Sequence, residues 1–350
     1  MNRRSLIAAS SLSLLAQGTP ADTTLESLEM DGLSLTTEWD KTFPKSPKVS
    51  HRKVVFHNRF GIAMAADLYR PKDQAGKLPA IAVSGPFGAV KEQSSGLYAQ
   101  RLAEAGFLTL AFDPSFTGES GGMPRHIAGP DLCTEDFSAA VDYLATCDEV
   151  EANRIGILGI CGWGGFALNA AAIDTRIRAT GACTMYDMCR VTANGYDDKG
   201  NDAETRHALR QALNAQRTED FKSGTYARTV MNPEPTADAP QFMKEYFDYY
   251  KGPRGYHARS INSGLGWNVT MSLSFLNSKL LAYAHEIDTP VLIVHGEKAH
   301  SRYFGETAFK QLQGENKKLL IVPNANHTDL YDSDKIPFEQ IIAFYRDALA

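Results

Sequence analysis

The feature that most constrains this chain is the repeated return of a short, uninterrupted apolar run. "LPAIAVSG", "LTLAFDPS", "RIGILGI" and "IRATGACTMYD" come first, and "TPVLIVHG" and "KKLLIVPN" follow near the C-terminus. Runs of this length without polar alternation mark strands buried on both faces. Helical patterns separate them: "SSGLYAQRLAEAGF", "TEDFSAAVDYLATC" with Thr134 as its expected cap, "GFALNAAAI", "GETAFKQLQ" and "IPFEQIIAFYRDALA". The alternation predicts an α/β fold, a mostly parallel sheet with helices on both faces. Before it, "RKVVFHN" and "GIAMAADLYRP" flank Asn58–Gly61 and predict a hairpin. At 350 residues and 43% hydrophobic, the chain can bury one large core and still carry an insertion.

The pattern breaks between residues 188 and 287. This stretch is polar, aromatic and helix-like, as in "DAETRHALRQALNAQRTEDFKSG" and "QFMKEYFDYYKGPRGYHARSINSG". It predicts a helical lid inserted into a core formed by 51–187 and 288–350. Its aromatics, among them Phe247, Tyr249, Tyr250, Tyr256 and Trp267, would either shape an apolar pocket or form the lid's own core. Residues 22–50 are polar and predict an extension lying on the surface. Residues 1–21 read as a signal peptide of twin-arginine type, with Arg3 and Arg4 before an apolar stretch from Leu6 to Ala16. Export to the periplasm or beyond is the expectation.

Several function classes fall away on composition. The net charge is −5 and there is no Lys/Arg run, which argues against a nucleic-acid partner. After the first residues nothing approaches the roughly 18 consecutive apolar residues of a membrane span. The five cysteines (Cys133, Cys147, Cys161, Cys183 and Cys189) form no CxxC and match no zinc spacing, so no metal is expected. An odd number in an exported chain leaves at least one thiol without an internal partner.

Cys161 stands out because it sits at the apex of "GICGWGG", between a buried strand and a helix. Ligands in open α/β sheets bind outside the carboxyl ends of the strands. Three readings compete there. In the first, the turn is a nucleophile elbow of the type Gly-x-nucleophile-x-Gly, with Gly159 and Cys161 in place. Trp163 stands where the second glycine belongs, and Gly164 and Gly165 come one step late. In this reading the helix N-terminus lowers the pKa of the thiol and stabilises an oxyanion. In the second, "GWGGFA" is a dinucleotide loop, with Asp187 as a ribose-binding acid. In the third, a small cysteine simply packs in a tight turn.

Chain order favours the elbow. An elbow predicts an acid after a later strand and a histidine near the C-terminus. "LLIVPNANHTDLYD" supplies His327 in the loop after the last strand. The acid should follow "PVLIVHG", where Glu297 lies but Ala299 and His300 occupy the usual aspartate positions; Asp187 is the alternative. An oxyanion hole needs two backbone N–H groups. Gly162 is expected to give one, and Phe87, with Gly88 as the second choice, the other. Asp113 and Glu119 in "FDPSFTGESGGMPR" either contact substrate or organise their loop, and loop organisation is the expectation.

These segments together resemble the α/β-hydrolase superfamily, in particular its dienelactone-hydrolase-like branch, which often carries cysteine in the elbow. The resemblance runs from about His51 to the end, on "HNRFGIAMAADLYRP", "GPFGAVKEQSSGLYAQ", "AFDPSFTGESGG", "GICGWGG", "GEKAHSRYF" and "NANHTDLYD". Nearest in character are fungal polyketide transferases and thiohydrolases. The resemblance implies a Cys–His–acid triad on Cys161 and His327, no cofactor, and a small-molecule acyl substrate. It also suggests that Trp163 narrows the pocket beside the nucleophile. A cysteine nucleophile suits activated acyl groups, such as thioesters, lactones and activated esters. The expected activity is their hydrolysis. Transfer to another acceptor through the same triad, and a binding protein that has lost catalysis, are the alternatives.

Overall fold

The structure is a computed structural model and describes residues 27–350. The signal-like segment 1–21 lies outside the described residues. The chain opens with a hairpin, β1 (Ser27–Met30) and β2 (Leu33–Thr36), followed by β3 (Val49–His57), β4 (Ala63–Pro71) and β5 (Leu78–Ser84). Alternation then sets in: α1 (Ser94–Glu104), β6 (Leu108–Phe112), α2 (Pro130–Thr146), β7 (Val150–Ile160), α3 (Gly162–Ile173) and β8 (Ile177–Cys183). The segment that follows holds α4 (Met188–Asn194), α5 (Ala203–Ser223), β9 (Arg228–Val230), α6 (Gln241–Lys251), β10 (Leu265–Asn268) and α7 (Ser272–Leu276). The chain returns to the sheet with β11 (Val291–Gly296), α8 (Arg302–Gln311), β12 (Lys317–Val322), the short α9 (Asp329–Asp332) and α10 (Phe338–Ala348).

Eight strands form the central sheet in the order β12-β11-β8-β7-β5-β6-β4-β3. β3 and β4 pair antiparallel, with His57 opposite Ala63, and β4 runs antiparallel to β6. The remaining pairings are parallel. The continuous apolar runs follow from this: all five residues of β6 and the last six of β7 are buried. One core layer lies under α2 and α3, and a second under α1, α8 and α10.

Three local expectations need correction. α2 does not start at a Thr134 cap. It begins at Pro130, whose fixed φ suits the first helical position, and the Thr134 hydroxyl instead donates to Pro130 O at 2.6 Å. The stretch after β8 is not wholly helical, because β9 and β10 pair there as a short antiparallel ribbon. The segment before β3 does not lie on the surface throughout: Leu35 and Phe43 are buried, and the Lys41 ammonium reaches the buried Asp67.

Lys41 belongs to a cluster of charges inside the protein. Lys91 Nζ, wholly buried, lies 2.6 Å from Glu119, 2.8 Å from Asp113 and 2.8 Å from Glu92. Lys53 Nζ adds contacts to Glu119 at 2.9 Å and Glu92 at 3.2 Å. Arg259, from the segment between β8 and β11, reaches Asp40 at 2.8 Å and Glu92 at 3.0 Å. Burial alone would raise the carboxyls; for Glu92 and Glu119 the surrounding cations, Lys91 first and then Lys53 and Arg259, together more than reverse this, holding Glu92 well below its usual range and Glu119 down to about 2. Asp113 organises its loop, accepting from Lys91 N at 2.8 Å and Glu119 N at 2.9 Å. Stability held by the depressed Glu92 and Glu119 is present above their unfolded value and drains away as the pH falls toward about 2.

Removing one member should strand the others. Lys91→Met, which keeps the stem and deletes the ammonium, is expected to lower unfolding free energy by about 3–5 kcal/mol, read by denaturant or thermal melting. A loss within about 1 kcal/mol, the range of an exposed pair, would contradict the cluster's role.

Candidate active site

The elbow is built by a backbone that few residues tolerate. Cys161, between β7 and α3, has φ 58° and ψ −126°. Such a conformation at a non-glycine residue costs on the order of 1–3 kcal/mol and persists only when its surroundings over-determine it. Here the Cys161 N–H donates to Cys183 O at 2.9 Å, and the Cys161 carbonyl accepts from Gly164 N and Tyr186 N, both at 3.0 Å. The turn is so tight that a Cβ on Gly159 would lie 2.0 Å from Trp163 O, and one on Gly165 2.3 Å from Tyr186 O. Glycine is therefore required after the motif position, at Gly164, whose Cβ would lie 2.5 Å from Met185 Cβ, and at Gly165. Trp163 does not line the pocket. Its ring turns into the core, edge-on to Phe137 at 5.2 Å and to Phe112 and Phe166 at 5.5 Å.

The backbone amides of Gly162 and Phe87 lie near enough to the Cys161 sulfur to favour its thiolate, and Phe87 and Cys161 line the same cavity. The Phe87–Gly88 loop is held from above by the segment before β10. Asn262 Nδ2 donates to Phe87 O at 2.8 Å, and Asn262 N and Ser260 Oγ donate to Gly88 O at 3.1 and 3.0 Å. The Phe87 ring stacks on Trp267 at 4.5 Å.

His327 is fully buried in the turn before α9. The Tyr331 hydroxyl lies 2.9 Å from His327 Nε2, and Tyr331 lines the same cavity as Cys161, near enough for its hydroxyl to favour the thiolate. On the other side, His327 Nδ1 is 2.6 Å from Ser301 Oγ and 2.9 Å from Thr184 Oγ1. The Thr184 hydroxyl reaches on to His327 O at 3.4 Å, which leaves its oxygen to accept from Nδ1–H. Nε2 is then the unprotonated nitrogen, facing Tyr331.

Neither expected acid is a hydrogen-bond partner of His327. The Glu297 carboxylate accepts from Asn324 N at 2.8 Å. Asp187 caps α4, accepting from Arg190 N at 2.9 Å. Two hydroxyls stand where the sequence called for a carboxylate. Ser301 lay unnoticed in "EKAHSRYF" because a serine there carries no signature. Tyr331 had one: it follows His327 by four residues, the spacing that puts two side chains on one helical face.

The electrostatics follow from burial. Desolvation pushes the Cys161 thiol up, against the opposing Tyr331 hydroxyl and the Gly162 and Phe87 amides. This corrects the expectation that the helix N-terminus would lower it. Burial also carries His327 well below its usual range, with His300 and His295 adding to the effect. The resting pair is a neutral thiol and a neutral imidazole. All five cysteines are free.

Above Cys161 lies a chamber of about 160 Å³. Of the aromatics expected to shape it, only Tyr250 lines it. Tyr249 packs on Tyr250 and Tyr331, Tyr256 is exposed, and Trp267 backs Phe87. Tyr186 and Tyr246, which the sequence reading passed over, are in its wall. Among the described residues no group of three or more His, Cys, Asp or Glu side chains is placed to hold a metal ion, and no helix is long and apolar enough to cross a membrane.

Known proteins match this architecture. The chain is 57% identical to uncharacterized protein PA2218 of Pseudomonas aeruginosa, over 91% of this chain and 86% of that protein. The crystal structure of PA2218 superposes with a TM-score of 0.89, covering 91% of this chain and 100% of that one. The α/β hydrolase GrgF of a Penicillium species shares the fold, with a TM-score of 0.70 and 21% identity over 86% of this chain and 98% of that one. A thiohydrolase of Eupenicillium brefeldianum is 32% identical over 39% of this chain and 44% of its own length. The model of the X-Pro dipeptidyl-peptidase (S15) family matches residues 61–329, from the β3–β4 turn to just past His327. With its strand–turn–helix elbow and this match across most of its length, the chain belongs to the X-Pro dipeptidyl-peptidase (S15) family and has the α/β-hydrolase fold.

Proposed function

We propose that the protein hydrolyses activated acyl compounds, namely esters, thioesters or lactones, through a thioester on Cys161. The observation that carries this reading is a strained elbow cysteine at the wall of a cavity that Phe87 and Tyr331 also line, with the Phe87 and Gly162 amides beside its sulfur. Donors aimed at the nucleophile also reach the oxygen of the carbonyl that it attacks. The likeness to a thiohydrolase supports the acyl class.

The proton has a path. As the Cys161 sulfur attacks, its proton passes to the Tyr331 oxygen while the Tyr331 proton passes to His327 Nε2. The Ser301 and Thr184 hydroxyls accept from Nδ1–H and steady the ring. The tetrahedral oxyanion rests on the two amides. Its collapse expels the leaving group, which takes the proton back from His327 through Tyr331. A water then attacks the thioester, giving up a proton along the same route, and the thiol is restored. Thiolate leaves from such an intermediate more readily than an amine does, so activated acyl groups suit the site and amides do not.

One observation favours a second reading, a ligand-binding protein without turnover: His327 has hydroxyls in place of a carboxylate. Hydrolysis of p-nitrophenyl acetate separates the two. The proposal expects turnover that falls by at least about 10³-fold in Cys161→Ala. Equal rates for wild type and variant would exclude the covalent route, and no turnover by either would favour binding alone.

Tyr331→Phe removes the bridge but keeps the ring. It is expected to lower kcat/KM by about 10²–10⁴-fold, the usual weight of a proton-transfer group, with the fold intact by circular dichroism. The pH profile carries a further expectation. Because His327 is held well below 6.5, it stays neutral where an ordinary histidine base would be protonated. Activity should therefore run level through pH 6.5 and fall only at lower pH. An acid limb centred near 6.5 would show that His327 is not held down.

A further inference from the structure

The chamber over Cys161 has a composition that says what it can hold. Its volume is about 160 Å³. Five tyrosines line it, Tyr186, Tyr196, Tyr246, Tyr250 and Tyr331, and Met188, Val191 and Met231 fill between them. No Asp, Glu, Lys, Arg or His is among the lining residues. The hydroxyls of three of these tyrosines, Tyr186, Tyr246 and Tyr331, are engaged by the protein. Tyr186 meets Tyr246 at 2.9 Å and also hydrogen-bonds His300 Nε2, while Tyr331 is spent on His327. What remains to face a ligand is mostly ring and thioether surface, with the Asn232 and Asn262 amides beside it. Aromatic faces and edges, and methionine sulfur against a ring edge, favour a flat apolar group.

The walls are also braced. Tyr246 and Tyr250 lie with ring centroids 6.3 Å apart at 27°, and His300 stacks on Phe242 at 4.3 Å behind Tyr186 and Tyr246. A cavity of roughly 150 Å³ lined by apolar side chains holds one benzene. The cavity opens to solvent, so most of a twelve-carbon chain would extend past its aromatic walls and gain nothing from them. A dipeptidyl group would bring an α-ammonium and meet no carboxylate in the lining.

Resting on Cys161 as the acyl acceptor, we infer that the acyl group this site takes is compact, uncharged and flat. A benzoyl-sized aromatic or cyclic acyl group fits, and long alkyl chains and charged peptidyl groups do not.

The test uses p-nitrophenyl esters that share one leaving group: acetate, butyrate, benzoate, laurate and the ester of glycyl-proline. Wild type, Cys161→Ala and Met231→Ala are compared by kcat/KM. The benzoate is expected to be best, with laurate and the glycyl-prolyl ester at least about 10²-fold lower, since a pocket separates ligands by about 10-fold or more for each misfit methylene. Met231→Ala, which enlarges the chamber away from the catalytic groups, should raise the laurate-to-benzoate ratio about tenfold. Laurate matching benzoate in wild type, with both dependent on Cys161, would overturn the size inference alone. So would a ratio left unchanged by Met231→Ala. Efficient cleavage of the glycyl-prolyl ester would overturn the charge argument. Failure of every ester, or rates unchanged in Cys161→Ala, would instead remove the Cys161 reading, and the inference with it.

Discussion

Cys161 is held in a left-handed conformation by three backbone hydrogen bonds, from its N–H to β8 and to its carbonyl from Gly164 and Tyr186. The rest of the site is arranged around that strained unit. It lifts the sulfur off the end of β7, and the start of α3 brings the Gly162 amide against it. The same hydrogen bonds tie β8 and the loop after it to the elbow, which sets Tyr186 in the chamber wall and Thr184 against His327. If the turn relaxed, sulfur, amide and histidine would lose register together. Small residues at 159 and 165 follow from the same constraint, because the chain crosses itself there at less than side-chain width.

The second fixed point is the Phe87–Gly88 loop. Its outer side is clamped by Ser260 and Asn262, and the chain just beyond it enters the buried charge cluster at Lys91 and Glu92. Arg259, one residue before Ser260, reaches the same cluster. The segment between β8 and β11 is thus anchored to the core at the place where the Phe87–Gly88 loop is set. Buried ion clusters are poor sources of net stability, but breaking one is costly. Here the arrangement fixes one geometry rather than deepening the fold.

The sheet was legible because parallel strands buried on both faces leave an unmistakable trace of unbroken apolar residues, as in "LTLAF" and "RIGILGI". That Cys161, His327 and Phe87 lie at neighbouring strand ends was legible from chain order. The partners of His327 were not. A carboxylate leaves a recognisable residue, whereas the hydroxyls of Thr184 and Ser301 look like any loop serine or threonine until the fold brings them within hydrogen-bonding distance. The direction of the Cys161 shift was misjudged for a related reason. A helix N-terminus can be read from sequence, but the depth of burial that outweighs it is a property of the folded site. The charge cluster was invisible because its members, from Asp40 to Arg259, are scattered over more than half the chain. Trp163 shows the opposite case: a large residue at a motif position was given to the pocket when it belongs to the core.

The central claim is a covalent acyl group on one sulfur. The most direct measurement is intact-mass spectrometry of protein quenched in acid during turnover of p-nitrophenyl benzoate, followed by peptide mapping. The account predicts a gain of one benzoyl group on the peptide containing Cys161, lost when the reaction runs to completion and absent from Cys161→Ala. Steady turnover with the label on another residue, or a Cys161→Ala protein that still forms the adduct, would contradict it.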